Sequence, residues 1–398
     1  MKIHHFLWLL IAVVMIVCNI KIFPFTTPNV SAGDNIYAVG LNDDNKVMVT
    51  ARRASDKFNT SGLPLAGGVG TFPNMINWNG NLVADFGDIG LWYHDGIDWN
   101  WISNRGYVGQ MEVWNNNLVV DFGVGKGIWY YDTTSWHWMT NKYNPNLMIN
   151  WNNGVTEVLV VDFGNGQKIF TYDGSWHWLK NKDTVAGMAV WDYKLIVDFG
   201  NGRGVYYYDG TWTWMSNKDN VNLMLPWYYG GTESLVVDFG GGRRIYTYDG
   251  AWNWLINKDS VHDMTVWTNR TDRIHDRYNG SRYDSDIQAI ENQELVVDFG
   301  GGRDLYNYNG TWNWMSNNDD AARMVTWNDG ANDNIAFDFG SGRNMFNFDG
   351  SWIWIKNAND VPEMTAWNNR LAVDFGSGVG IYNYDGSWNF MKSRSTMD

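Results

Sequence analysis

The chain has 398 residues, 44% of them apolar and 16% aromatic, and carries a formal charge of −14. That length and apolar content suffice for a large buried core. The acidic balance speaks against nucleic acid or an anionic membrane surface as partner, since both reward Lys and Arg.

Residues 1–32 read as a secretory signal peptide: Met1-Lys2 at a basic start, an apolar run from Phe6 to Cys18, and Val30-Ser31-Ala32 as a small-residue cleavage site. The apolar run is short for a membrane span of about 20 residues, which places an uncleaved anchor second. Lipidation at Cys18 ranks lower because Val17 is bulky. Cleavage removes the single cysteine, so the exported chain, periplasmic or extracellular, has no disulfide and relies on packing. It also removes Lys2 and Lys21, which takes the charge from −14 to −16 and leaves no membrane span. Residues 33–74 form an N-terminal extension with a predicted hairpin about Asn42-Asp43-Asp44-Asn45.

From residue 75 to 391 the chain repeats. Val-Asp-Phe-Gly or a close variant recurs at Asp85, Asp121, Asp162, Asp198, Asp238, Asp298, Asp338 and Asp374, and each copy has a Met-x-x-Trp before it and a Trp-x-Trp or Trp-x-Phe after it. Such a period decides the fold. The fourth copy reads as four short strands: Met188–Trp191, Leu195–Asp198, Val205–Tyr208 and Thr211–Met215. Asp209-Gly210 predicts a tight type I′ hairpin between the last two. Runs such as Leu235-Val236-Val237 predict a second strand buried on both faces. The link to the next copy keeps a constant length, as a return from an outer to an inner strand requires. The prediction is therefore all-β, a β-propeller of eight four-stranded antiparallel blades. Seven blades, or a stack that does not close, are the alternatives. Residues 392–398 are a tail.

The 26 Trp all fall in repeat slots except Trp8 of the signal segment, and their large apolar area predicts that they pack between blades. The repeated Asp is expected to accept hydrogen bonds from the glycine turn that follows it. Asp-Phe-Gly is no kinase signature here, with eight copies and no nucleotide loop. No acid/base or metal constellation stands out, so the chain reads as non-enzymatic and without a cofactor. Asp284-Ser285-Asp286 has the spacing of calcium ligands but lacks the surrounding loop.

Function specific to one place should sit where copies differ. The connection between the first two strands is longest in the sixth copy, where Thr268–Gln293 is polar and carries Arg277, Tyr278, Tyr283, Asp284 and Asp286. Tyr193, Tyr228 and Tyr229 occupy the corresponding turns of the fourth and fifth copies. Tyrosines beside carboxylates and Arg suit a saccharide or a protein surface. Units such as Val197-Asp198-Phe199-Gly200 and Tyr208-Asp209-Gly210-Thr211-Trp212 resemble those of the tectonin and tachylectin-like propeller lectins and of exported bacterial proteins with similar repeats. That resemblance implies non-enzymatic glycan binding. A scaffold that binds a surface protein through its variable loops is the alternative, and a polysaccharide-active enzyme at the central opening ranks last.

Overall fold

The computed structural model describes residues 35–41, 47–53 and 75–393, the last range without 106–107, 124, 142–143, 165–167, 181–184, 201, 217–220, 241–244, 257–260, 268–292, 302–303, 317–319, 341–343, 358–360 and 377–378. The chain divides into two units, 1–54 and 55–398. In the first, β1 (Asn35–Leu41) and β2 (Val47–Arg53) pair antiparallel, with Ile36 opposite Arg52.

The second unit is a β-propeller of eight four-stranded sheets. Blades 1 to 8 occupy residues 75–103, 110–140, 147–180, 187–216, 223–256, 263–316, 323–357 and 363–392. Each uses four consecutive strands, here a to d, paired in that order, so no blade borrows a strand from elsewhere. In blade 4, Gly187–Trp191 pairs with Lys194–Asp198, then Val205–Tyr208, then Trp212–Ser216. Strand b lies between neighbouring blades, and Leu195, Ile196 and Val197 are fully buried. Strand a packs on strand a of both adjacent blades and is innermost; strand d is outermost.

The turns follow from local chemistry. In all eight copies the repeated Asp accepts, through Oδ1, the N–H of the glycine two residues on, at 2.9–3.1 Å. The other oxygen reaches forward: Oδ2 of Asp198 and of Asp298 accepts the N–H of Val221 and of Ala321, just before the next strand a, at 3.0 and 2.7 Å. The predicted type I′ geometry sits elsewhere. At Asp209-Gly210 only the glycine has positive φ, and the loop is three residues long, because the hydroxyl and N–H of Thr211 close back on the Asp209 carboxylate. Paired positive φ values occur instead in the short a–b turns, at Asn79-Gly80, Asn115-Asn116, Asp192-Tyr193 and Asn368-Asn369.

Every strand d carries a bulge after its third residue; in blade 2, Trp138 pairs with Trp129 and Thr140 with Ile128. The bulge brings a strand-d carbonyl against the residue preceding strand c. A Cβ on Gly127 would lie 2.2 Å from the Thr140 oxygen, whereas Lys168 and Asp304 hold the same slot at φ 146° and 85°. An exposed outer strand invites pairing with another chain, and a bulge twists it away from that.

Indole N–H groups clasp the blades in both directions. The strand-a Trp donates to a carbonyl in the a–b turn of the next blade or at the start of its strand b, as from Trp114 to Glu157 O, Trp151 to Tyr193 O and Trp191 to Glu233 O, at 2.8–3.1 Å. In six of the eight blades the first Trp of strand d donates back to the preceding blade, as from Trp136 to Ile102 O and Trp252 to Met215 O, whereas the buried indole N–H groups of Trp212 and Trp312 have no hydrogen-bond partner among the described residues. Trp327 departs from this and donates to Asn347 Oδ1 of its own blade.

The same clasps close the ring. Trp367 of blade 8 donates to Gly80 O at 2.7 Å, and Trp99 of blade 1 to Met391 O at 3.2 Å. Met75, Leu82, Phe86, Trp367 and Ile381 form one buried cluster across that seam. Trp367→Phe removes the bond and some volume, and is expected to cost about 1–2 kcal/mol. Hydrogen exchange should then quicken first in blades 1 and 8; a uniform change around the ring would contradict this role.

Candidate functional site

Two regions depart from a uniformly packed propeller: the face of the a–b turns around blades 3 to 6, and the outer rim. On the first, the predicted tyrosines are placed by contacts between blades. Tyr193 occupies a turn at φ 59°, where its sibling positions hold Gly80, Asn116 and Asn369. A bulky residue there is uncommon and strained by about 1–2 kcal/mol. Its ring lies over Gly154 of blade 3, 3.5 Å from where a Cβ would stand.

Tyr229 stacks on Trp227 with centroids 5.0 Å apart, and its hydroxyl donates to Asn309 O of blade 6 at 2.9 Å. A Cβ on Gly310 would meet that hydroxyl at 2.2 Å, so blade 6 has a glycine under the tip of Tyr229. Tyr228 exchanges hydrogen bonds with Gln293, its N–H to the Oε1 and its carbonyl from the N–H, both at 2.9 Å. Tyr228 and Tyr229 thus tie blade 5 to blade 6, and Tyr193 rests on blade 3. Arg277, Tyr278, Tyr283, Asp284 and Asp286 lie outside the described residues.

Between blades 4 and 5 a crevice of about 360 Å³ opens, lined by Trp191, Asp192, Lys194, Tyr207, Thr232, Glu233, Tyr248 and Asp249 among others. Strands a and b of blade 5 are seven residues long (Leu223–Tyr229 and Thr232–Asp238), against five in blade 4, so the blade-5 hairpin overhangs the Asp192-Tyr193 turn. The Lys194 ammonium pairs with Asp192 and lies 4.7 Å above the Trp191 ring. Burial pushes the Glu233 carboxyl above the usual range, although the Asp192 N–H bonded to it pulls the other way.

The rim corrects the expectation that the tryptophans all pack between blades. The strand-a Trp are 1–5% exposed and the first Trp of strand d is half-buried. The third residue of the motif is not: Trp101, Trp138, Trp178, Trp214, Trp254, Trp314, Trp354 and Phe390 are 53–59% exposed. Each pairs across to an aromatic residue of strand c, as Trp138 does with Trp129 and Trp214 with Tyr206. Basic groups from the preceding blade sit on several of these strand-c rings, with the Arg105 guanidinium 3.8 Å from Trp129 and the Lys392 ammonium 4.1 Å from Trp92. Each blade therefore presents an outward ring backed by a second, half-buried one.

Two rim hairpins gather Ser, His and Asp. In blade 3, Ser175 Oγ and Asp173 Oδ1 lie 2.9 and 3.0 Å from the same nitrogen, His177 Nε2, and Ser135 and Asp132 meet His137 Nε2 likewise. A relay needs the serine and the carboxylate on opposite ring nitrogens, so these are hairpin caps. Among the described residues no three His, Cys, Asp or Glu side chains gather as ligands of one metal ion.

No family model matches the chain, and no curated protein does. Among solved structures the chain is similar to the β-propeller domain of the Trilobed protease from Pyrococcus furiosus, at 10% identity, covering 73% of this chain and 99% of that one, with a TM-score of 0.40. It is similar also to a streptogramin B lyase, at 10% identity, covering 69% and 93%, with a TM-score of 0.39. A third is BBS1N in complex with ARL6DN, at 13% identity, covering 70% and 90%, with a TM-score of 0.43. These neighbours are β-propellers, enzymes among them. The likeness is one of architecture.

Proposed function

We propose that the chain is an exported, non-enzymatic propeller that binds glycan, with the rim aromatics as a series of weak stations. The observation carrying this reading is the outward exposure of seven Trp and one Phe at a single slot, when every other repeated Trp is buried or half-buried. An exposed indole face offers apolar area and a negative quadrupole, which suit the C–H face of a sugar ring. Soluble proteins seldom leave so much aromatic surface bare without a partner. Stacking on nucleic-acid bases would use the same rings, but a charge of −14 opposes a polyanion. Export follows from the signal-like segment at residues 1–32.

The test is retention of the full mature chain on insoluble neutral polysaccharides such as cellulose and chitin, beside an anionic one such as alginate. Retention on at least one neutral polymer, reduced by Trp138→Ala with Trp178→Ala, is expected. No retention on any, or retention indifferent to those substitutions, would overturn the reading.

A further inference from the structure

We propose that the crevice between blades 4 and 5 is a separate site for a single neutral hexose, received end-on as the terminal residue of a glycan. The inference rests on the glycan-binding reading and adds a second mode to it. The rim rings lie in the open, one to a blade, and suit contacts along the side of a chain. The crevice is a recess of about 360 Å³, at the small end of ligand sites. It has room for about one ring and its hydroxyls.

Its walls match a polyol. The carboxylates of Asp192, Glu233 and Asp249 accept hydrogen bonds from hydroxyls, and Lys194 donates them. The rings of Tyr207 and Tyr248 stand on either side of the junction, one from each blade. Three carboxylates against one ammonium repel a sugar acid, so the hexose is an uncharged one. The position arises where the repeat departs from itself: a two-residue turn in blade 4 faces a blade-5 hairpin two residues longer in each strand. Neither Asp249 nor Lys194 is part of a blade's packed core; Asp249 is exposed and Lys194 half-buried.

Saturation-transfer NMR of the full mature chain with methyl β-glucoside, methyl β-galactoside, methyl α-mannoside and methyl β-glucuronide tests this. At least one neutral glycoside should bind, the glucuronide more weakly than the neutral glucoside. Combining Asp249→Asn with Lys194→Met should weaken that binding about tenfold or more, while Asn313→Ala on exposed strand d of blade 6 leaves it unchanged. Thermal melts of the variants check that the fold is intact. Silence of all three neutral glycosides, preference for the glucuronide, or binding indifferent to the crevice substitutions would each sink the proposal. Retention on polysaccharide together with silent glycosides would remove this site and leave the rim reading standing; glycoside binding without retention would do the reverse.

Discussion

Glu112→Gln is expected to make the propeller more stable at alkaline pH, by up to about 4–5 kcal/mol. Glu112 lies on the inner strand of blade 2, one residue after the repeated Met, where the other blades carry Ile76, Ile149, Ala189, Leu225, Thr265, Val325 and Thr365. It is 8% exposed. Oε1 accepts the Val113 N–H at 3.1 Å, and Oε2 has no hydrogen-bond partner among the described residues. Burial therefore pushes its carboxyl from 4.5 up to about 8, with the Val113 N–H opposing weakly.

A carboxyl whose folded value is raised stays protonated in the native state while the unfolded chain ionises. Below about pH 4.5 both forms are protonated and nothing is lost. Stability then falls as pH rises, and the full penalty is present above about pH 8. Burial raises Glu363 to about 7, and Asp121 and Asp198 to about 6, so all four have the same sign. Urea unfolding at about pH 5 and about pH 9 should show a drop in the wild type that is smaller by about 4 kcal/mol in Glu112→Gln, the rest of the drop remaining with the other three carboxyls. An equal drop in both would mean that the carboxyl is solvated or paired.

The second large effect concerns binding. One ring stacked on a sugar contributes about 0.5–1.5 kcal/mol, so Trp138→Ala alone should weaken polysaccharide retention by about two- to tenfold. Removing four neighbouring rings, Trp138, Trp178, Trp214 and Trp254, should cost far more, on the order of a hundred- to ten-thousandfold, because stations on one strand act together. The melting temperature should hardly move, since these side chains are more than half exposed. Removing four alternate rings should cost less if a strand runs along the rim from blade to blade. Depletion isotherms on a polysaccharide that retains the wild type measure all three variants; equal losses for adjacent and alternate sets would contradict a continuous track.

Blade number, strand order and the role of the repeated Asp were legible because each rests on the repeat and on local rules: eight copies of one unit, short β-rich runs between glycine turns, and an Asp two residues from an N–H that needs an acceptor. The exposed ring of each blade was not. Residues one and three of Trp-x-Trp point to the same side of strand d, so the pattern treats Trp136 and Trp138 alike. What separates them is the reach of the preceding blade, which buries the first and stops short of the second. The turn tyrosines were recognised as departures from the repeat, but their contacts depend on residues far along the chain. Tyr229 bonds across 80 positions to Asn309, and no periodicity marks Gly310 as its seat. The crevice arises from a difference in hairpin length between neighbours, visible in the spacing of Trp191 to Asp198 and Trp227 to Asp238 but not in any motif.

Each blade takes all four strands from one continuous stretch of chain, and this bears on how such a ring can change. No blade is topologically first or last. Joining residue 392 to residue 75 and cutting in any other blade-to-blade link would give a circular permutant with the same sheets, the same clasps and the same rim. Whole blades can likewise be duplicated or exchanged without breaking a sheet, so a new rim ring can be acquired as a unit of some forty codons, with circumference as the main constraint.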